Sequence, residues 1–508
     1  MADMCFQGRD IISMRDFSRE EIEFILREGE KLRGDYREDP RKFKSRRHSH
    51  PELAFGILFF ENSTRTRLST EAAISEMGAF FDGFTSSEGT SVGKGEPLRD
   101  TVRMFTDCFH YDGIFMRHPL EGAARFASEF MGEGSIVSCG DGPLEHPTQT
   151  LLDLLTIQEA HGNINGLTIA LGGDLKYGRT VHSLLLALAN FNVDLHLTAP
   201  AGLEMPEFLI NDYERKSGRK VTLHQSIEEV IGFTDVYYAT RVQRERFPDT
   251  AEGQMEYEIA KAKFVIDTVL LERCKPKKDM IILHPLPRNK YALEITFGVD
   301  DTPYAWYIPQ AANGPFTREA VTRIISGIVP TGKHTRATIG EEEPRFEEME
   351  LCERRGYKKD LYKIDNGTLI DHIANGLGHQ ALRLLKLDQY RDSPVIPGYN
   401  IPSSRAGKKD IIGISQRELQ PKDLTRLAIL CPDATINIVR DGKIHRKFRM
   451  QLPEYLKDLI ECPNTKCITH PETYEGVPTI FHNESSERQF RCHYCTRPIS
   501  TDEVKIKS

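Results

Sequence analysis

The sequence predicts two parallel-sheet α/β domains, then an α+β domain, then a small β domain closed by four cysteines. Three observations carry this expectation. At 508 residues the chain is too long for one hydrophobic core. From its start to about residue 328, short β-rich runs alternate with longer segments of helical apolar spacing, the pattern of parallel sheets covered by helices. Beyond residue 330 that alternation breaks, β-rich runs separated by polar turns take over, and four of the ten cysteines gather near the C-terminus.

The strands read from the first part are 54–60, 112–117, 167–171, 194–198, 235–239 and 280–283. Residues 341–355 hold seven glutamates and three arginines, the composition of a solvated linker or a short charged helix. After it, 367–370, 410–415, 434–440 and 443–449 read as strands and 377–387 as a helix. Five segments follow. Residues 1–146, completed by about 300–329, form a first α/β domain, and 147–299 a second. The linker is 330–356, the α+β domain 357–455 and the cysteine domain 456–508.

A net charge of −8 gives no footprint for sequence-independent nucleic-acid binding. No apolar run approaches the ~18 residues of a membrane helix. The first ten residues lack the apolar core of a secretory signal. Ten cysteines are too sparse for a disulfide scaffold, and a reducing cytoplasmic location is expected.

Parallel α/β sheets place their sites at the carboxyl ends of strands. At one such end stands Ser63-Thr64-Arg65-Thr66-Arg67, opening a helix whose free N–H groups and positive dipole end suit a phosphate. An ordinary hydroxyl cap followed by surface arginines is the plainer reading. His146-Pro147-Thr148-Gln149 opens another helix, with Pro147 suited to its first position, so that His146 and Gln149 project from one helix end. Arg117 closes a strand. Ser91-Val92-Gly93-Lys94 offers a hydroxyl and an ammonium on a glycine loop that is not a Walker A pattern. Gly172-Gly173-Asp174 lacks the dinucleotide spacing. Arg179 and Arg241, each beyond a strand end, could clamp the carboxylates of an acidic substrate.

Ser63-Thr-Arg-Thr-Arg67, His146-Pro-Thr-Gln149 and His284-Pro-Leu-Pro-Arg288 together resemble the carbamoyltransferase family. Thr240-Arg-Val-Gln243 and Pro285 point to its aspartate type. The resemblance covers residues of about 5–328. It implies that Ser63, Thr64, Arg65, Thr66, Arg117, His146 and Gln149 hold carbamoyl phosphate. It also implies that Arg179, Arg241 and Gln243 hold L-aspartate and that the Pro285–Leu286 backbone lines the pocket. Ser91 and Lys94 would enter from a neighbouring subunit of a homotrimer. Arg65, Thr66, Lys94, Arg117 and His146 would carry catalysis, with no metal or organic cofactor for the reaction. The implied product is N-carbamoyl-aspartate, in de novo pyrimidine biosynthesis. A carbamoyltransferase for another amino acid, and a catalytically silent scaffold, are the rival readings.

Cys462-x4-Cys467 and Cys492-x2-Cys495, with 24 residues between the pairs, suit one structural zinc per chain. The C-terminal part resembles the family's regulatory chain, ordinarily a separate polypeptide. That resemblance implies a nucleotide-type domain with Asp371, His372 and Lys447 on effector contacts, and larger homo-oligomers through it. Gly413 stands where the regulatory chains have an effector-contacting lysine.

Overall fold

A computed structural model describes residues 4–242, 250, 254–255, 257–258, 263–288, 293–337, 339, 345–349, 364–387, 393–403, 407–484, 489–501 and 503–507. The chain divides into two compact units, Met1–Arg336 with Lys466–Glu475, and Ala337–Thr465 with Gly476–Ser508.

The first unit begins with helix α1 (Arg19–Glu38), whose start is fixed by a reciprocal box. The Ser18 hydroxyl accepts from the Glu21 N–H, and the Glu21 carboxylate accepts from the Ser18 N–H. Strand β1 (Ala54–Phe59) is buried along nearly its whole length, as a central parallel strand must be. It leads into α2 (Thr64–Met77), then β2 (Phe80–Phe84), β3 (Gly113–His118) and β4 (Ser135–Asp141). These strands form an all-parallel sheet in the order β2-β1-β3-β4.

Helix α3 (Pro147–His161) crosses to a second parallel sheet. Its strands are β5 (Thr168–Gly172), β6 (Asp194–Thr198), β7 (Thr222–His224), β8 (Val236–Ala239) and β9 (Ile281–Leu283), in the order β9-β8-β5-β6-β7. Helix α4 (Arg179–Leu188) follows β5 and is buried through its leucines. Helix α5 (Gly314–Ile325) returns to pack against α1, α2 and α3. All six expected strands are present. The additional ones, β2, β4 and β7, escaped the sequence reading for two reasons. Strands β2 and β7 are largely unburied, and β4 carries buried serines (Ser135 and Ser138) that interrupt its apolar run.

Parts of the stretch expected as a linker are structured. Gly332–Lys333 pairs with Cys5–Gln7, and the Arg336 guanidinium binds the Asp10 carboxylate at 2.7 and 2.8 Å, so this end belongs to the first unit. At the other end, β10 (Arg345–Glu348) pairs with a strand of the second unit. The remaining positions of that stretch lie largely outside the described residues.

The second unit holds β11 (Gly367–Ala374), α6 (Gly378–Leu384), β12 (Val395–Ser403), β13 (Gly407–Ser415), α7 (Pro421–Leu430), β14 (Thr435–Arg440) and β15 (Lys443–Gln451). Its antiparallel sheet runs β10-β15-β14-β11-β13-β12, with an apolar core that includes Ile370, Ile412, Leu427 and Ile436. A smaller antiparallel sheet follows, from β16 (Tyr455–Lys457) through β17 (Ile480–Glu484) and β18 (Gln489–Cys492) to β19 (Pro498–Ser500).

Candidate active site

Three strand ends of the first sheet meet the start of α4. Ser63 caps α2 in extended backbone but makes no side-chain cap bond, which leaves its hydroxyl and the first N–H groups of the helix to an anion. Thr64 and Arg65 are exposed beside it, and Thr66 is buried at 8% exposure. Arg117 ends β3 and Arg179 begins α4. Both guanidinium groups reach Glu61, Arg117 at 3.4 Å and Arg179 at 3.1 Å. Gly140, at φ +126°, permits this approach, because a Cβ there would lie 2.9 Å from Nη1 of Arg179 and 3.3 Å from Nη1 of Arg117. Burial, then Arg179, pushes the Arg117 guanidinium down to about 10 against the opposing pull of Glu61. Burial works to raise the Glu61 carboxyl, but the two arginines outweigh it and hold it low. A pair of partly desolvated cations with one carboxylate between them is a site built for anions.

His146 lies against this cluster. It is the N-cap of α3, its backbone N–H donates to the Ser183 hydroxyl at 2.7 Å, and its Nε2 sits 3.4 Å from Oγ1 of Thr66. Burial first, and then the charges of Arg179, Arg117 and Arg318, hold the imidazole well below its ordinary value. The ring is therefore neutral at physiological pH, a hydrogen-bond donor rather than an acid.

Gln149, in the first turn of α3, donates its Nε2 to the Asp153 carboxylate at 2.8 Å. Gln310 donates to the same carboxylate oxygen at 2.6 Å and accepts the His284 N–H at 2.8 Å. The His284–Leu286 loop beyond β9 is tied further by the Leu286 N–H, which donates to Nδ1 of His284 at 2.8 Å. Nε2 of His284 reaches the buried Glu294 at 2.8 Å. Pro285 and Leu286 are half-buried on that loop. The half-buried Arg241 stands two residues past β8, between the ends of β5 and β9 in the sheet order. Gln243 lies outside the described residues.

Ser91 and Lys94 do not join this cluster. Both are exposed on the loop after β2, and their side chains make no hydrogen bond or ion pair among the described residues.

The sequence reading assigned no role to Glu61, Asp153 or Gln310. Glu61 had a legible signal, an acid directly after a buried strand and next to the hydroxyl–arginine run. Asp153 had a fainter one, a carboxylate four residues from Gln149 on an otherwise leucine-rich face. Gln310 had none.

The family model "Aspartate/ornithine carbamoyltransferase, carbamoyl-P binding domain" matches residues 9–159, and "Aspartate/ornithine carbamoyltransferase, Asp/Orn binding domain" matches 165–325. The catalytic subunit of M. jannaschii aspartate transcarbamoylase is 40% identical, at TM-score 0.55, over 63% of this chain and 98% of that one. The chain belongs to the aspartate carbamoyltransferase family. Trypanosoma cruzi aspartate transcarbamoylase, solved in complex with carbamoyl aspartate and phosphate, is 35% identical at TM-score 0.56, over 63% of this chain and 97% of that one. The same enzyme with carbamoyl phosphate and aspartate is 34% identical at TM-score 0.55, again over 63% and 97%. This aspartate carbamoyltransferase is a transferase that carries regulatory-chain domains in the same polypeptide. The "Aspartate carbamoyltransferase regulatory chain, allosteric domain" model matches residues 360–451, and the "metal binding domain" model of that chain matches 454–505.

In the regulatory region, Asp371 is buried on β11, with Nδ1 of His372 at 3.3 Å and Nζ of Lys409 at 2.6 Å. Lys447 is half-buried on β15, two strands away across β14. A Cβ at Gly413 would lie 2.5 Å from Cδ1 of Ile364, the end of that side chain. Ile364 belongs to an apolar cluster with Leu369, Ile411 and Val439.

The ligand atoms of Cys462, Cys467, Cys492 and Cys495 all lie within 4.8 Å of one another, and all four residues are buried. Cys462 and Cys495 have their sulfurs 3.7 Å apart. Tetrahedral zinc at ~2.3 Å from each sulfur requires sulfur–sulfur edges of ~3.8 Å, so the donor set fits that ion. Among the described residues no helix is long and apolar enough to cross a membrane.

Proposed function

We propose that the cluster around Thr66, Arg117 and His146 is where the amine of L-aspartate attacks the carbonyl carbon of carbamoyl phosphate. The C–O bond to phosphate breaks, N-carbamoyl-aspartate forms, and the departing phosphate takes the amine proton. Ser63, Thr64, Arg65 and the α2 N-terminus hold the phosphate. Thr66, Arg117 and the neutral His146 donate to the carbonyl oxygen and stabilise the oxyanion that forms there. Gln149 and the Pro285–Leu286 backbone hold the carbamoyl amide. Arg179, Arg241 and Gln243 hold the two carboxylates of aspartate. Holding both substrates in one geometry supplies several kcal/mol, to order of magnitude, without further chemistry. The observation that carries this reading is the buried, uncharged His146 beside Thr66 and the Arg117–Arg179 pair. Presenting the chain with carbamoyl phosphate and a panel of amino acids tests it. Aspartate alone should be carbamoylated, and turnover of ornithine instead would overturn the reading.

The site is completed by a neighbouring subunit in a homotrimer, whose Ser91 and Lys94 reach the departing phosphate. Two observations support this. Lys94 finds no anionic partner among the described residues. Phe80 and Phe109 are each 53% exposed and joined through Tyr111 by ring contacts, an apolar patch at the β2 edge suited to a second copy. Larger homo-oligomers form through the regulatory region.

The four cysteines hold one structural zinc per chain, whose closed tetrahedral coordination fixes the fold around it and leaves no position for catalysis. Such thiolates suit the reducing cytoplasm, where de novo pyrimidine synthesis would take place. The regulatory region answers to a nucleotide through Asp371, His372 and Lys447. With Gly413 where the family's regulatory chains have a contact lysine, that binding is weakened, altered in selectivity or lost.

A further inference from the structure

Asp153 is a buried carboxylate to which the reaction assigns no step. Asp153 is fully buried on α3, and one of its oxygens receives both Nε2 of Gln149 at 2.8 Å and Nε2 of Gln310 at 2.6 Å. Burial pushes the Asp153 carboxyl up to about 7; above that pH it is ionised and only accepts hydrogen bonds, so each amide then turns its NH2 towards Asp153 and its oxygen away. For Gln310 the oxygen then meets the His284 N–H at 2.8 Å. For Gln149 the oxygen is the amide atom turned away from Asp153, in the first turn of the helix that His146 caps.

The consequences extend along the loop beyond β9. The His284 N–H is taken by Gln310, and the Leu286 N–H is taken by Nδ1 of His284. Pro285 and Pro287 have no N–H to give. From 284 to 287 the backbone therefore has only carbonyl oxygens to offer a ligand. In the carbamoyl-transfer reading above, these carbonyls and the Gln149 oxygen form the acceptor wall that meets the carbamoyl NH2.

We infer that Asp153 is a positioning residue that sets the donor–acceptor sense of Gln149 and, through Gln310, of the 284–287 loop, and so makes the site select an acyl phosphate bearing NH2 on its carbonyl carbon over one bearing a methyl group. The inference rests on the carbamoyl-transfer reading above and names what enforces its choice of donor. A methyl group matches an amide NH2 in size but donates nothing, so discrimination comes from buried acceptors left unpaired. Removing Asp153 frees the Gln149 amide to rotate and relaxes that discrimination. It leaves the phosphate cradle at Ser63–Thr66 untouched.

The test measures binding of carbamoyl phosphate, acetyl phosphate and inorganic phosphate to the full-length chain at a pH above the roughly 7 at which Asp153 ionises. The unaltered enzyme should bind carbamoyl phosphate at least about tenfold more tightly than acetyl phosphate, the worth of one or two hydrogen bonds. Asp153→Leu should lower that ratio about tenfold while acetyl phosphate and phosphate binding stay within about threefold of their original values. Asp153→Asn keeps an oxygen that can receive both amides and should restore most of the ratio. Gln310→Met should also lower the ratio, and it provides the measurement if Asp153→Leu does not fold. An unchanged ratio in either folded variant would overturn the inference. So would a parallel loss of all three ligands, which marks a structural role only, or equal binding of acetyl and carbamoyl phosphate by the unaltered chain. Failure of the underlying reading looks different, since the unaltered chain would then form no carbamoyl-aspartate at all.

Discussion

Nε2 of His146 lies 3.4 Å from Oγ1 of Thr66, across 80 residues of sequence, where the first turns of α2 and α3 meet beyond the strand ends of the first sheet. Both groups are buried, so a carbonyl oxygen placed between them would meet two donors with little competing water. His146→Ala should lower kcat about a hundredfold or more, the usual cost of removing one such donor, with aspartate and phosphate binding largely kept. Steady-state kinetics with separate binding measurements checks this.

The same residue sets an acid limit on stability. Its folded-state pKa is held below the ordinary 6.5, by burial first and then by Arg179, Arg117 and Arg318. Below about pH 6.5 the unfolded chain takes up a proton that the folded chain refuses, so stability falls as pH falls. Above that pH both states are neutral at this residue and no slope remains. His146→Asn should therefore lose less Tm than the unaltered enzyme between pH 7.5 and 5.5. Equal losses would place the acid sensitivity elsewhere.

Arg241 is the sharpest test of the co-substrate. Replacing it with alanine removes a planar guanidinium that can clamp a carboxylate bidentately. The aspartate KM should rise about tenfold to a hundredfold while carbamoyl phosphate binding is nearly intact. An unchanged aspartate KM would remove Arg241 from the substrate pocket.

Assembly can be read from complementation. If the Lys94 of one subunit serves the His146 of another, inactive Lys94→Ala and His146→Ala chains should regain activity when mixed into hybrid trimers. A hybrid with verified subunit mixing and no regained activity would mean that each site is complete within one chain.

The cysteine cluster divides the labour between regions. Mild chelation or Cys492→Ser should unfold the small domain, whose core is near the size where a metal is needed. Carbamoyl transfer should continue, because the two catalytic sheets have their own apolar cores. Any nucleotide response should vanish, together with assemblies larger than the trimer. Metal analysis should find one zinc per chain beforehand. Loss of basal transfer from an intact trimer on zinc removal would contradict this division.

The sequence by itself determined the two α/β layers, the α+β region and the cysteine spacing, because apolar periodicity and ligand spacing are local properties. It also set out the residues at Ser63–Thr66 and His146–Gln149, since a hydroxyl or proline at a helix start is legible over a few positions. The unburied strand β2 and the serine-interrupted β4 were not legible, because burial decides strands where hydrophobicity does not. Only the tertiary structure decided that Glu61 lies between Arg117 and Arg179, and that Gly140 makes room for them. Only it brought Gln310 to Asp153 across 157 residues, giving a carboxylate on a leucine-rich helix a buried partner. The physical reason is common to all these pairs. A buried charge is tolerated only beside a partner, and the partner's distance in sequence is set by which strand ends the two sheets bring together.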